Sequence, residues 1–280
     1  MSATDAMSLF AREMSVREGP APSSLPGALS ETATYAIARD AFLLRVPNGL
    51  RYYYERGKGV IVSRPQSVPE DEIALFLNGS VYGAIAWING YVPLHAASVV
   101  QGAGVHAFSG PSQIGKSTLA ARLTTRGLPL FSDDVLVLDL GDPDIIMCVP
   151  GHRRSKLWND ALALTGAEAG RPVRETMDKY YAAPLGGVYT APLPLVRLNM
   201  LEFRARERPS FNALKGAERF ARVSTSFYRP HFGAALLENR ALFKIVERIS
   251  RQVKLGLFER PKDKAMFEDG VSLVSAAISQ

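Results

Sequence analysis

Gly110-Pro111-Ser112-Gln113-Ile114-Gly115-Lys116-Ser117 is the stretch on which the reading of this chain turns. It fits the pattern G-x-x-x-x-G-K-[ST], and its flanks are the ones the pattern needs: an apolar strand over 105–109 before it and a helix over 118–126 after it. Glycines at both ends let the backbone curl until successive N–H groups point inward, and the helix N-terminus adds partial positive charge, so the loop is built for phosphate oxygens. The residues that would hold a nucleotide are Gly110, Pro111, Ser112, Gln113, Ile114, Gly115, Lys116, Ser117 and Thr118. Lys116 would reach the β- and γ-phosphates, and the Ser117 hydroxyl a magnesium ion.

Downstream, Gly127 closes the helix, 128–131 begins a strand, and Ser132-Asp133-Asp134 precedes a second apolar strand over 135–140. The carboxylate pair comes 17 residues after Lys116 (133 − 116), one helix and half a strand on. That interval is short for a transporter or unfoldase motor, and no LSGGQ-like segment is present. Set in an apolar run, bare charges are costly, which favours a working pair over a solvated turn. One carboxylate can hold magnesium while the other takes the proton of an attacking hydroxyl.

Upstream, no Asp, Glu, Lys or Arg occurs from Ile73 to Gly115. The run is broken by Asn78-Gly79, Asn89-Gly90, Pro93, His95 and Gln101-Gly102-Ala103-Gly104, so it reads as a buried helix and two buried strands, 94–100 and 105–109, not as a membrane span. Acidic Glu70, Asp71 and Glu72 after Pro69 mark the start of that helix. Before it, 42–46, 50–54 and 60–63 read as a small antiparallel sheet, and residues 1–30, with Pro20, Pro22 and Pro26, as a mobile arm.

The chain has 280 residues, a net charge of +6 and a mean hydropathy of zero, the balance of a soluble globular protein of one or two domains. A single cysteine, Cys148, excludes an internal disulfide and a multi-cysteine zinc site, and fits the cytoplasm. No secretory signal is expected at the N-terminus, and no nucleic-acid motif is found. The basic excess concentrates in 202–262, with 14 Lys or Arg against 6 Glu, either as solvated helix faces or as a surface for an acidic ligand. There, helices are expected over 214–228 and 234–252, a strand over 253–258 and a terminal helix over 267–278; 196–203 reads as a further strand.

Leu94-His95-Ala96-Ala97, the glycine turn to Val105, the loop 110–117 and Ser132-Asp133-Asp134-Val135 together resemble the kinase core of HPr kinase/phosphorylase. More narrowly, 42–257 resembles the HPr-kinase-like proteins of bacterial peptide-modification clusters, including kinases of lasso-peptide precursors. The resemblance implies an α/β fold related to HPr kinase and phosphoenolpyruvate carboxykinase. Its phosphate loop would lie among mixed strands, with a small β subdomain over 31–68, a kinase domain over 69–280 and C-terminal helices. It further implies ATP and Mg2+ as cofactors, Asp133 as general base, Asp134 with Ser117 at the metal, and His95 near the transferred phosphate. Taken alone, a histidine in an apolar strand is more often a satisfied core residue. The family's second Gly- and Ile-rich signature is absent; in its place stands Pro150-Gly151-His152-Arg153-Arg154-Ser155-Lys156-Leu157-Trp158, similar to the peptide-cluster relatives. Arg153, Lys156 and, further on, Lys179 are candidate contacts to phosphate or an acidic peptide, or else basic surface. The expected activity is phosphorylation of a serine on a peptide or small protein, with lasso-type precursors favoured. An HPr-type regulatory protein as acceptor and a non-catalytic nucleotide-binding regulator are the alternatives. No membrane or nucleic-acid partner is expected, and self-association is left open.

Overall fold

The computed structural model describes residues 3–151, 155–170, 172–174, 177–182, 189–205 and 207–279. The chain opens with α1 (Ala3–Glu13), followed by β1 (Val16–Glu18), β2 (Ser30–Glu31), β3 (Tyr35–Ile37), β4 (Ala41–Arg45), β5 (Arg51–Glu55) and β6 (Gly59–Ser63). These strands form one sheet in the order β1-β6-β5-β4-β3-β2, antiparallel except for β1 beside β6. The three central strands match the hairpin pattern of the sequence; the arm expected over 1–30 does not. Ala6 and Phe10 of α1 are buried, Phe10 against Tyr82 and Tyr91. The fully buried Glu13 carboxylate accepts from Tyr54 Oη at 2.9 Å and Gly57 N at 2.8 Å. These bonds lower its pKa against the opposing effect of burial, and pin the helix to the sheet.

The charge-free run becomes α2 (Glu70–Phe76), a π turn (Leu77–Val81) and α3 (Tyr82–Ile88), then β7 (Val92–Gln101) and β8 (Gly104–Ser109). Next come α4 (Lys116–Thr125), β9 (Leu130–Ser132), β10 (Val135–Asp139) and β11 (Met147–Val149). A three-stranded sheet of β12 (Ser155–Trp158), β13 (Pro172–Arg174) and β14 (Met177–Ala182), with α5 (Asn159–Thr165) inserted, went unforeseen in the sequence. The chain closes with β15 (Leu193–Phe203), β16 (Ser210–Ala213), α6 (Gly216–Ser224), α7 (Pro230–Leu236), α8 (Asn239–Gln252), β17 (Lys254–Arg260), a short turn (Lys264–Met266) and α9 (Phe267–Ile278). The expected helix over 234–252 is two helices, because Leu237 and Glu238 are extended.

The central sheet runs β11-β10-β7-β8-β15-β17-β16, with β9 on β7; β8, β15 and β17 are mutually parallel and the rest antiparallel. One face packs Leu94, Leu136 and Met200 against Ile85 and Phe227, and the other packs Phe108 and Leu130 against Leu119, Leu123 and Val274. Each such side chain contributes about 1.5–3 kcal/mol on burial. Among the described residues no helix is long and apolar enough to cross a membrane. Several of the 202–262 arginines are staples, not a free basic surface: Arg219 donates to Ser250 O and Val253 O, and Arg222 pairs with Glu202.

His106, on β8, is buried, and its pKa is pushed down to about 4 by burial and by the Arg197 cation. A folded value below the ordinary 6.5 means that the unfolded chain takes up this proton first as pH falls. Stability should therefore be full above pH 6.5 and decline toward pH 4. The loss from this residue should reach about 2 kcal/mol between pH 7 and pH 4.5. Urea unfolding of the wild type and of His106→Gln at the two pH values should show that much less acid destabilisation in the variant; equal acid sensitivity refutes the assignment.

Candidate functional site

The glycine loop lies where β8 gives way to α4. Gly110 has φ 149° and Gly115 φ 94°, and a Cβ at these positions would stand 2.8 Å from Leu201 O and 2.5 Å from an Arg260 guanidinium nitrogen. Gly110 is thus fixed by its conformation and by the backbone beside it, and Gly115 by its conformation. Gln113 is also left-handed, at φ 65°. The loop forms one wall of a cavity of about 500 Å3, lined by Ser112, Gln113, Lys116, Ser117 and Thr118 on that side and by His95 and Asp134 on another.

The acidic pair sits between β9 and β10, and one backbone angle sorts the two side chains. Asp134 has φ 75°, a left-handed conformation uncommon for a residue other than glycine, so the simple alternation of a strand does not apply. Asp133 is buried, at 2% exposure, and its Oδ1 accepts from Ser117 Oγ at 2.8 Å and from Asp134 N at 3.1 Å. The Asp134 side chain is 28% exposed and lines the cavity. In this structure the Ser117 hydroxyl meets Asp133, while the left-handed turn directs Asp134 toward His95.

His95 links the pair to the loop. Lys116 Nζ lies 3.0 Å from His95 Nε2 and donates to Gly110 O at 2.9 Å and Pro111 O at 3.1 Å. On the far side of the ring, Nδ1 lies 3.1 Å from Asp134 O and 3.4 Å from Asp134 Oδ1. Burial, then the Lys116 cation, lower the pKa of His95. With Lys116 donating to Nε2, the proton of the neutral ring resides on Nδ1 and faces Asp134.

Of the other expected contacts, Arg153 lies outside the described residues. Lys156 and Lys179 are placed in β12 and β14 by their backbone, opposite Tyr181 and Trp158, and their side chains lie outside the described residues. Asp178, beside Lys179, lines the cavity. Arg260 was missed. Its guanidinium donates to Ile114 O at 2.8 Å, stacks 4.7 Å over the Phe203 ring and lines the cavity. It buttresses the loop from the end of β17, 145 residues beyond Gly115 (260 − 115), and no local pattern announces it.

No protein-family model matches the chain, and no curated protein matches it. Among solved structures it is similar to the HPr(Ser) kinase/phosphatase from Coxiella burnetii, with 13% sequence identity over 66% of this chain and 95% of that one and a TM-score of 0.35. So slight a likeness carries neither fold nor activity from one chain to the other.

Proposed function

We propose that the protein is an ATP-dependent kinase that transfers the γ-phosphoryl group to a serine hydroxyl of a peptide, with a precursor of lasso type favoured by the resemblance noted above. One observation carries this reading: a loop of phosphate-binding geometry and an accessible carboxylate, Asp134, line the same cavity of about 500 Å3. The hydroxyl and carboxylate oxygens of Ser117 and Asp133, 2.8 Å apart, are hard ligands of the kind magnesium takes. They would hold the ion, which supplies charge neutralisation to the phosphates.

The remaining steps belong to the chain itself. Loop amides and Lys116 grip the triphosphate, with Lys116 exchanging its carbonyl partners for phosphate oxygens. Asp134 accepts the proton of the serine hydroxyl as that oxygen bonds to the γ-phosphorus, and the bond to the bridging oxygen breaks to release ADP. Neutral His95 holds Asp134 in place through Nδ1, bonded to its backbone oxygen with the carboxylate alongside, and leaves Lys116 fully charged. Most of the acceleration comes from alignment and charge neutralisation, since phosphoryl transfer passes through a loose transition state.

Incubation with γ-labelled ATP, Mg2+ and serine-containing peptides, including precursors encoded beside the gene, should yield phosphoserine by mass spectrometry. Nucleotide binding without transfer to any peptide, protein or small hydroxyl compound would replace this reading with that of a nucleotide-binding regulator.

A further inference from the structure

In serine transfer the Nδ1 atom of His95 has a task and Nε2 has none. Yet Nε2 belongs to a ring that lines the cavity beside the glycine loop, with 31% of the side chain exposed. The residue is firmly placed on β7. Its amide donates to Ser226 O at 2.7 Å, its carbonyl accepts from Ser109 Oγ at 2.9 Å, and its ring packs 5.7 Å from the Tyr228 ring.

The surroundings make Nε2 a nucleophile. Nδ1 keeps the proton, bonded to Asp134 O at 3.1 Å with Oδ1 alongside at 3.4 Å, so the lone pair of the neutral ring is on Nε2. Burial and the Lys116 cation lower the pKa of the ring and keep it neutral. The Asp134 carboxylate is placed to offset the positive charge that appears on the ring once Nε2 forms a bond, as the carboxylate of a catalytic triad does. The other candidates along the cavity are worse placed. Ser117 Oγ donates to Asp133 Oδ1 at 2.8 Å, Ser112 and Thr118 stand on the loop wall that grips the phosphates, and a lysine ammonium has no lone pair.

Lys116 brings this atom and the phosphate together. Its Nζ is 3.0 Å from Nε2, and a phosphate oxygen in its grip would lie about 2.7–2.9 Å from the same Nζ. As Lys116 turns its hydrogens to the γ-phosphate, it releases the Nε2 lone pair beside the phosphorus. The ring stands on a different wall of the cavity from the loop, so it approaches the phosphorus from a side other than the one that holds the departing ADP, as an in-line displacement needs. We infer that, with no acceptor bound, the protein phosphorylates itself on His95 Nε2. The lone pair bonds to the γ-phosphorus while the bond from that phosphorus to the β–γ bridging oxygen breaks, and the electron pair of the broken bond leaves with ADP. The proton stays on Nδ1, and the resulting ring cation is paired with Asp134. This modification site rests on the kinase reading and adds to it an acceptor within the chain.

Incubation of the purified protein with γ-labelled ATP and Mg2+, without any peptide and with an alkaline quench, tests this. The chain should carry label that survives alkali and is lost in acid, as a phosphoramidate does and a phosphoserine does not. Mass spectrometry in alkaline buffer should place the phosphate on His95. Unlabelled ADP should strip the label from the protein as ATP, because a nitrogen–phosphorus bond retains enough free energy to run the step backwards. His95→Gln should lose the acid-labile label. A folded variant that keeps it, or wild-type label that resists acid or maps to another residue, overturns the assignment; should the variant not fold, the map on the wild type decides. Calorimetric binding of Mg-ATP and transfer to serine peptides, measured on the same samples, read the kinase proposal separately. Mg-ATP binding without acid-labile label refutes the His95 site alone, whereas absence of Mg-ATP binding ends both.

Discussion

Asp134→Asn should lower phosphoryl transfer about 1,000-fold, the scale of a lost general base, while leaving Mg-ATP affinity within a few fold. The carboxylate lines the cavity and faces the Nδ1 proton of His95, so an amide of the same size keeps the shape and loses the proton acceptor. Asp133→Asn should behave differently. Its carboxylate is buried and bonded to Ser117 Oγ, so this variant should weaken nucleotide binding in the presence of magnesium and change metal-free binding little. Calorimetry with and without Mg2+, beside single-turnover transfer, separates the two. If Asp133→Asn abolished transfer with binding intact while Asp134→Asn did not, the roles would be reversed.

Lys116→Ala should weaken nucleotide binding and lower turnover further still. A charge-assisted hydrogen bond to phosphate is worth about 1.5–3 kcal/mol, so losing it should cut nucleotide affinity by roughly 10- to 100-fold. Transfer should fall further, because charge on the γ-phosphoryl oxygens loses its cation in the transition state. Lys116→Arg should rescue little. The ammonium fits among Gly110 O, Pro111 O and His95 Nε2 within 3.1 Å of each, a three-way geometry that a planar guanidinium does not reproduce. The alanine variant carries a second readout. The Lys116 cation helps hold the His95 pKa down, so its removal should shift the imidazole titration upward in NMR. A folded variant with an unchanged His95 titration would show that the two side chains do not meet.

What the sequence disclosed, and what it hid, follows from where each determinant lies. The loop 110–117, its flanking strand and helix, and the nearness of the acidic pair were legible because all lie within about 30 consecutive residues. The terminal helix was legible in full, since Phe267, Val271, Val274 and Ile278 recur at helical spacing and are buried. By contrast, α1 is held by Tyr54, Gly57, Tyr82 and Tyr91, partners 41 or more residues beyond Glu13 in the chain. The different placement of Asp133 and Asp134 rests on one left-handed angle that leaves no trace in residue type. Arg260 belongs to a strand whose pattern announces only burial. The β12–β14 sheet is made of short strands with mixed polar content, which period-two reading does not resolve.

The π turn over 77–81 accommodates, between α2 and α3, one residue more than a regular helix needs. Excision of a single residue would restore a regular helix with its two ends facing nearly as before, since four residues of α-helix turn the chain about as far as five of the wider π turn. The change would be local, at the widened turn where Gly79 stands close to the Tyr228 hydroxyl and to Asp134. A one-codon deletion would thus leave both helices and the glycine loop in place while altering the wall behind Asp134.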